Sequence, residues 1–304
     1  MSTQERLQSI RIGTMVSGSG RDPAGYVRQI LPYGFESFSL FFSGGVLGVE
    51  LARLADQVQS VLADSGAVVS SLGIYGNGSP LEDGQADLDT LAAWKTLIDG
   101  AHQFGCNIVG GFTGRVRGSS LEESLPRYRQ VWGELACRAE DRGVRIAFEN
   151  CTRTDTWQEG TRNLALSPAA WELLFAEVPS RALGLEWEPC HQMVQLIDPL
   201  SQIAAWGSRI YHVHGKCATI RWDVVRQYGI NGPRPWAYHR TPGFGDLDWT
   251  RVISELRLAG YVGSIDIEGW HDPVYRDALE MTGQVHSLNY LKRCRGGEFV
   301  PNPT

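Results

Sequence analysis

The sequence predicts a single (β/α)8 TIM barrel, and two observations lead to this fold class. Short apolar runs alternate with helical patterns along the whole chain, and this alternation is typical of parallel strands joined by helices. No linker, internal repeat or low-complexity segment interrupts the alternation, so we expect one domain over residues 1–304. A doubly wound open sheet is the alternative, but no GxGxxG motif follows the first strand.

Apolar runs bounded by turn residues define the strands, and helical periodicity with capping residues defines the helices between them. The predicted strands are Ile10–Val16, Glu36–Phe42, Ala67–Ile74, Asn107–Phe112, Arg145–Asn150, Leu183–Glu188, Ile210–His214 and Ser264–Glu268. The predicted helices are Pro23–Leu31, Val49–Asp64, Asp87–Phe104, Leu121–Arg142, Pro168–Glu177, Pro199–Trp206, Asp248–Ala259 and Pro273–Lys292. Asp22 and Ser167 are the expected N-caps of the helices that follow them.

Composition narrows the classes of function. The chain is 42% hydrophobic, enough for a sizeable core, and its net charge of -6 argues against a nucleic-acid backbone as the main partner. No apolar run approaches the roughly 20 residues of a membrane span, and the polar N-terminus lacks the apolar region of a signal peptide. Six scattered cysteines without a CxxC pair indicate reduced thiols. We therefore expect a cytoplasmic protein.

Metal-type ligands stand at the ends of four consecutive predicted strands, from the fifth to the eighth. They are Glu149, Glu188, His214 and Glu268. Because the active site of a (β/α)8 barrel lies at the C-terminal ends of its strands, we expect these side chains to bind one divalent ion. Three carboxylates and one imidazole form a hard, oxygen-rich site, which suits Mn²⁺ or Mg²⁺, with Co²⁺ or Zn²⁺ tolerated.

Three further ionisable residues precede these ligands by two positions: Glu186, His212 and Asp266. Residues two apart in a strand share a face, so we expect a deeper polar layer. In this layer we expect His212 to hydrogen-bond Glu186, Asp266 or both, and so to orient the metal ligands above it.

Two segments that connect predicted strands to the helices after them are expected to form the walls of the site. The segment 151–166 reads as an active-site loop with Trp157 and Asn163 as wall residues. The segment 215–247 is unusually long, and long ordered loops are commonly functional, so we expect it to cover the C-terminal face of the barrel. Its Lys216, Trp236 and His239 are predicted to contact a substrate, although loop aromatics also serve as ordinary cover.

Five motifs carry a resemblance to a known family. They are FEN at Phe148–Asn150, GLEWEPCH at Gly184–His191, HVHGK at His212–Lys216, PGFGDLDW at Pro242–Trp249 and DIEGWHDP at Asp266–Pro273. The sequence resembles the xylose isomerase-like TIM barrels of the sugar phosphate isomerase/epimerase family, which includes ketose 3-epimerases and inosose dehydratases. The resemblance implies a metal-dependent enzyme of carbohydrate metabolism, assembled as a homo-oligomer and in some members beside a second subunit.

The resemblance also implies roles for individual residues. Glu149, Glu188, His214 and Glu268 match the metal ligands of the family in chain order. Glu149 and Glu268 match its acid–base pair, and His191 matches a substrate contact of the epimerases. Two positions depart from the family pattern, because Glu188 stands in place of an Asp and Cys217 stands where many members have an Asp.

The reaction expected from this site is proton abstraction α to a carbonyl, through an enediolate. Reprotonation makes the enzyme a sugar isomerase or epimerase, whereas loss of a β-leaving group makes it a lyase or dehydratase acting on a keto-sugar or keto-glycoside. An apurinic-site endonuclease would need a His-rich multi-zinc site and a basic groove, which seven histidines and a charge of -6 disfavour. A non-catalytic partner subunit would be favoured by purified protein without metal.

Overall fold

Eight parallel strands close into a barrel in the computed structural model, which describes residues 10–76, 78–297, 300, 302 and 303. The strands of the structure are β1 Arg11–Ser17, β2 Ser37–Phe42, β3 Val68–Ile74, β4 Ile108–Gly111, β5 Arg145–Glu149, β6 Leu183–Trp187, β7 Ile210–Gly215, β8 Cys217–Ile220, β9 Ala237–Arg240 and β10 Ser264–Ile267. The barrel runs in the order β1-β10-β7-β6-β5-β4-β3-β2. The predicted (β/α)8 barrel is confirmed.

Helices follow the barrel strands much as the sequence predicts. They are α1 Pro23–Ile30, α2 Leu51–Leu62, α3 Gln85–Gly100, α4 Leu121–Asp141, α5 Pro168–Glu177, α6 Pro189–Met193, α7 Pro199–Trp206, α8 Trp222–Tyr228, α9 Trp249–Leu258 and α10 Glu280–Cys294. The Asp22 carboxylate accepts a hydrogen bond from Gly25 N at 2.9 Å and so caps α1, as predicted. Ser167 occupies the N-cap position of α5, but its hydroxyl makes no capping bond.

Three local predictions were wrong. His191 lies in the short helix α6 rather than in a loop, because Pro189 ends the strand and starts a helical turn. The segment 215–247 is not one loop, since β8 and β9 pair antiparallel on either side of α8. The last helix starts at Glu280 rather than Pro273, because the Asp272 carboxylate accepts from Val274 N and Tyr275 N in a turn.

The internal contacts of the chain divide it into two compact units. The first unit contains the described residues up to Thr14, residues 188–208 and the chain from Val213 onward; the second contains residues 15–187 and 209–212. The prediction of a single domain includes residues 1–9, which lie outside the described residues, and it stays a prediction. Among the described residues, no helix has both the length and the apolar character needed to cross a membrane.

Each unit has its own aromatic packing. In the second unit the ring of Trp132 meets Trp94 at 5.0 Å and Phe148 at 4.6 Å, both edge to face. The Trp132 indole N–H donates to Thr113 O at 2.9 Å, so this aromatic group also fixes the end of β4. In the first unit Phe244 stacks on Tyr275 with ring centroids 4.0 Å apart. This stack joins the end of the 215–247 segment to the turn before α10.

Candidate metal and sugar site

Three of the predicted ligands come together in the first unit. Glu188 follows β6 directly, His214 lies in β7 and Glu268 follows β10 directly. Their ligand atoms all lie within 4.8 Å of one another, and all three side chains are buried. His214 Nδ1 lies 3.3 Å from Glu188 Oε2 and 3.7 Å from Glu268 Oε2. We call these three residues the ligand cluster.

A lysine ammonium lies between the two carboxylates of the ligand cluster. Lys216 Nζ donates a hydrogen bond to Glu268 Oε2 at 2.7 Å and lies 2.9 Å from Glu188 Oε1 as an ion pair. The lysine side chain is itself buried, and a buried charge needs a partner of opposite sign. One ammonium shared by two carboxylates leaves an excess of negative charge when both are ionised. The donor set therefore fits a divalent cation, and the predicted contact of Lys216 with a substrate stays a prediction.

Burial and neighbouring charges act differently on the two carboxylates. Burial raises the pKa of Glu188, because His191 and Lys216 offset the loss of solvation only in part. Burial alone would also raise the pKa of Glu268, but the Lys216 ammonium and a hydrogen bond from His271 hold it well below its usual range. Glu268 is therefore a carboxylate at neutral pH.

Three imidazoles, which we call the histidine row, connect the two carboxylates of the ligand cluster. His191 Nε2 lies 3.1 Å from Glu188 Oε1, and His271 Nε2 lies 2.9 Å from Glu268 Oε1. The ring of His239 meets both other rings edge on, at 5.4 Å from His191 and 5.8 Å from His271. Burial lowers the pKa of His191 to about 3 and that of His239 to about 4, so both rings are neutral at pH 7.

Sequence reasoning missed His271, although the sequence contains a signal for it. His191 follows Glu188 by three residues, and His271 follows Glu268 by the same interval. In both places the histidine contacts the carboxylate of its own segment. The repeated Glu-x-x-His spacing at two strand ends therefore indicated the second histidine.

Glu149, the remaining predicted ligand, lies in the second unit at the end of β5 and is buried. Its main-chain carbonyl accepts a hydrogen bond from Asn163 Nδ2 at 2.8 Å. Asn163 Nδ2 also donates to Cys151 O at 2.7 Å, and its Oδ1 accepts from the Thr113 hydroxyl at 2.8 Å. These bonds occupy both N–H donors of Asn163. Asn163 therefore positions the backbone of Glu149, and its contact with a substrate stays a prediction.

The other predicted wall residues differ in how the fold uses them. Trp157 donates its indole N–H to Glu122 of α4 at 2.7 Å, so its polar group already has a partner within the second unit. The buried guanidinium of Arg115 donates to the main-chain oxygen of Trp157 at 3.0 Å, which fixes this loop. Trp236 is half-buried before β9. Substrate contacts of Trp157, Trp236, His191 and His239 stay predictions.

A second group, the polar network, lies within the second unit. His212 Nδ1 donates to Glu186 Oε1 at 2.7 Å, and the Tyr75 hydroxyl donates to Glu186 Oε2. Glu186 and His212 are fully buried. The predicted hydrogen bond between His212 and one of the two deeper carboxylates is confirmed for Glu186. Asp266 is also fully buried, in the first unit.

The family described as "Xylose isomerase-like TIM barrel" matches residues 27–294, which is most of the chain. The chain belongs to this family. The described part of the chain holds a buried His/Glu cluster of a kind that suits a divalent metal.

Two curated relatives and one solved structure illustrate the similarity. The rhizopine catabolism protein MocC of Rhizobium meliloti is 26% identical over 186 residues, which cover 59% of this chain and 49% of the relative. The inosose dehydratase of Lactiplantibacillus plantarum is 27% identical over 167 residues, covering 53% and 50%. The chain thus spans about half the length of these relatives. The 3-keto-D-glucoside 4-epimerase of E. coli superposes with a TM-score of 0.70 at 15% identity, over 94% of this chain and 100% of that one, which shows the shared fold.

Proposed function

We propose that the protein is a divalent-metal-dependent sugar isomerase or epimerase that removes and returns a proton α to a carbonyl. The ligand cluster supports this proposal most directly, because it gathers two carboxylates and an imidazole in a buried site. Glu149 is the fourth ligand we propose, since it is buried, follows the same strand-end pattern and matches a metal ligand of the family by resemblance. Mn²⁺ or Mg²⁺ suits this donor set best.

The ion, when bound, would draw electron density from the substrate carbonyl and stabilise negative charge on its oxygen. Glu268 is held as a carboxylate and accepts the proton from the carbon beside the carbonyl. The electron pair of that C–H bond forms a C=C bond to the carbonyl carbon, and the π pair of the carbonyl moves to its oxygen, which gives an enediolate. Lys216 and His271 keep the Glu268 carboxylate in one orientation through bonds of 2.7 and 2.9 Å.

Return of the proton completes the reaction. By resemblance, Glu149 is the partner acid that delivers a proton to the opposite face of the same carbon, which gives the epimer. Delivery to the neighbouring carbon gives the isomer instead. Because Glu188, His214 and Glu268 are each no more than 6% exposed, bulk water is excluded from the ligand cluster and does not compete for the enediolate.

A lyase is the second candidate, and Lys216 favours it. Elimination needs a proton donor for the departing group, and the Lys216 ammonium lies beside the proposed base, 2.7 Å from Glu268 Oε2. The same enediolate would then expel a β-hydroxyl or an aglycone together with the proton that Lys216 supplies. One of the relatives is an inosose dehydratase, which agrees with this alternative.

Deuterium exchange tests the proposal. Purified protein supplied with Mn²⁺ is incubated in D2O with ketoses, inososes and 3-keto-glycosides, and proton NMR follows the hydrogen beside the carbonyl. We expect exchange with at least one substrate class, loss of exchange in Glu268→Gln, and full exchange in Glu134→Gln, whose carboxylate is 63% exposed on α4. Release of water or an aglycone identifies the lyase. Metal-loaded protein that neither exchanges nor eliminates with any of these compounds contradicts the proposal.

A further inference from the structure

His239 differs from the other members of the histidine row in its hydrogen bonding. His191 and His271 each contact a carboxylate of the ligand cluster. Within the part of the chain that the structure describes, neither ring nitrogen of His239 bonds to a protein group, and its ring contacts are the two neighbouring imidazoles. The neutral ring therefore keeps one N–H donor and one acceptor nitrogen available for a ligand.

One carboxylate bonds the residues that directly follow His239 and itself directly follows His271. Asp272, which is buried, accepts at Oδ2 from Arg240 Nε at 2.9 Å and from Thr241 N at 3.1 Å. His239 directly precedes Arg240 in β9, and His271 directly precedes Asp272. Asp272 thus links the segments that carry the two histidines without a bond to either ring.

The two cationic side chains next to the row, Lys216 and Arg240, each form an ion pair with protein carboxylates, Arg240 through Nε. The Lys216 ammonium bonds the two carboxylates of the ligand cluster, and the Arg240 guanidinium bonds Asp272. Recognition of a phosphate group relies on positively charged donors, often a bidentate arginine. A hydroxyl group instead donates one hydrogen bond and accepts another, which matches the capacity of a neutral imidazole.

We propose that His239 and His271 form a hydroxyl-binding site, and that the substrate is an uncharged, unphosphorylated keto-sugar or cyclic keto-polyol. The keto part of this statement rests on the proposed function, whereas the hydroxyl-binding site does not. His239 contributes a donor and an acceptor to a hydroxyl remote from the reacting carbonyl. His271, 46% exposed, offers the ring atoms not used by Glu268 at the solvent end of the row.

Binding of a polyol without a carbonyl tests this inference separately from catalysis. The full-length protein, supplied with Mg²⁺, is titrated with myo-inositol or with an inositol monophosphate, and NMR follows the ring C–H signals of its seven histidines. The signal lost in each variant is assigned to the substituted histidine. His239→Phe is the test, His239→Gln is the conservative replacement, and His102→Gln is the exposed control.

We expect saturable shifts of the His239 and His271 signals with myo-inositol, an unchanged His102 signal, and weaker binding of the monophosphate. His239→Phe should weaken myo-inositol binding about 3- to 10-fold, the worth of one uncharged hydrogen bond, and His239→Gln should recover part of the loss. Metal content should be the same in all variants. Absence of any shift at His239, or tighter binding of the monophosphate, would overturn the inference even if deuterium exchange is observed. Polyol binding without exchange would support it while contradicting the proposed function.

Discussion

Glu186 and Glu188 lie two residues apart at the end of one strand, yet the structure surrounds them differently. Glu186, in the polar network, is bonded by the hydroxyl of Tyr75 and by His212. Glu188, in the ligand cluster, lies against His214, His191 and the Lys216 ammonium that it shares with Glu268. The first environment holds one carboxylate with two strong donors. The second gathers two carboxylates around one ammonium.

The difference shows what separates a structural carboxylate from a ligand when both are buried. A buried carboxylate is costly unless hydrogen bonds or opposite charges compensate it. Around Glu186 the donors come from the protein itself and fix the side chain. Around Glu188 and Glu268 a further cation would be stabilised by the charge that Lys216 leaves uncompensated. The comparison therefore predicts that the affinity for metal depends strongly on the ligand cluster and less strongly on the polar network.

Removing an imidazole from the ligand cluster should have the largest effect. We expect His214→Ala to abolish bound metal at micromolar supply, because the site loses its nitrogen ligand while the carboxylates remain. Metal analysis by mass spectrometry after desalting measures the occupancy. His102→Ala, an exposed histidine in the second unit, is the matched control and should keep the metal of the wild type. Full occupancy in His214→Ala would refute the assignment.

Removing an imidazole from the polar network should have a smaller effect. Replacement of His212 by Leu takes away the donor 2.7 Å from Glu186 Oε1 but leaves all proposed ligands in place. Outer groups that orient ligands typically contribute about 10- to 100-fold in metal affinity, and we expect a loss of that size. Titration with Mn²⁺ monitored by calorimetry gives the dissociation constant. An unchanged constant would mean that the polar network acts on the fold alone.

The sequence was sufficient to predict the barrel and the ligand cluster. Alternating apolar runs located all eight barrel strands, and the strand ends identified Glu188, His214 and Glu268 as neighbours. The period of two within strands also predicted the bond between His212 and Glu186. These features were predictable because they follow from local sequence periodicity and from the rule that the C-terminal ends of all strands in a parallel barrel lie on the same face of the barrel.

Features that depend on tertiary partners were not predictable in the same way. Asn163 reads as a polar loop residue, and only the three-dimensional structure shows its amide bonded to Glu149 O and Cys151 O. The pairing of β8 with β9 across the intervening helix α8 joins residues about 20 positions apart, beyond the reach of local periodicity. The position of Lys216 Nζ between Glu188 and Glu268 likewise depends on where three separate elements meet.

Shortening the segment 215–247 tests whether this segment serves the substrate or only covers the fold. Replacing residues 222–235 by a short turn would leave β8 and β9 to pair, and would remove α8 with the exposed Trp222. We expect kcat/KM for the true substrate to fall at least about tenfold while Tm falls by only a few degrees, because α8 contributes little buried surface. Enzyme kinetics and calorimetry measure the two quantities. A large fall in Tm with a matching fall in kcat/KM would identify the segment as a structural cover.

The pH dependence of stability should show the smallest effect. Burial lowers the pKa of His239 to about 4 in the folded chain, from an ordinary value of 6.5, so the unfolded chain binds more protons between these values. This contribution to the free energy of unfolding is full above about pH 6.5 and is lost as the pH falls toward 4. His239→Gln removes it, so the loss of Tm between pH 6.5 and 4 should be shallower than in the wild type. An identical slope would show that His239 titrates normally.

The same isosteric change at Glu186 and at Glu188 tests the central comparison most directly. Glutamine keeps the shape of glutamate but removes the charge, so Mn²⁺ titration of Glu186→Gln and Glu188→Gln reports how much each carboxylate contributes to metal binding. We predict that Glu188→Gln loses more than about 100-fold in affinity, whereas Glu186→Gln loses no more than the 10- to 100-fold of an orienting group. An equal loss in both variants, or a larger loss in Glu186→Gln, would contradict the assignment of the ligand cluster.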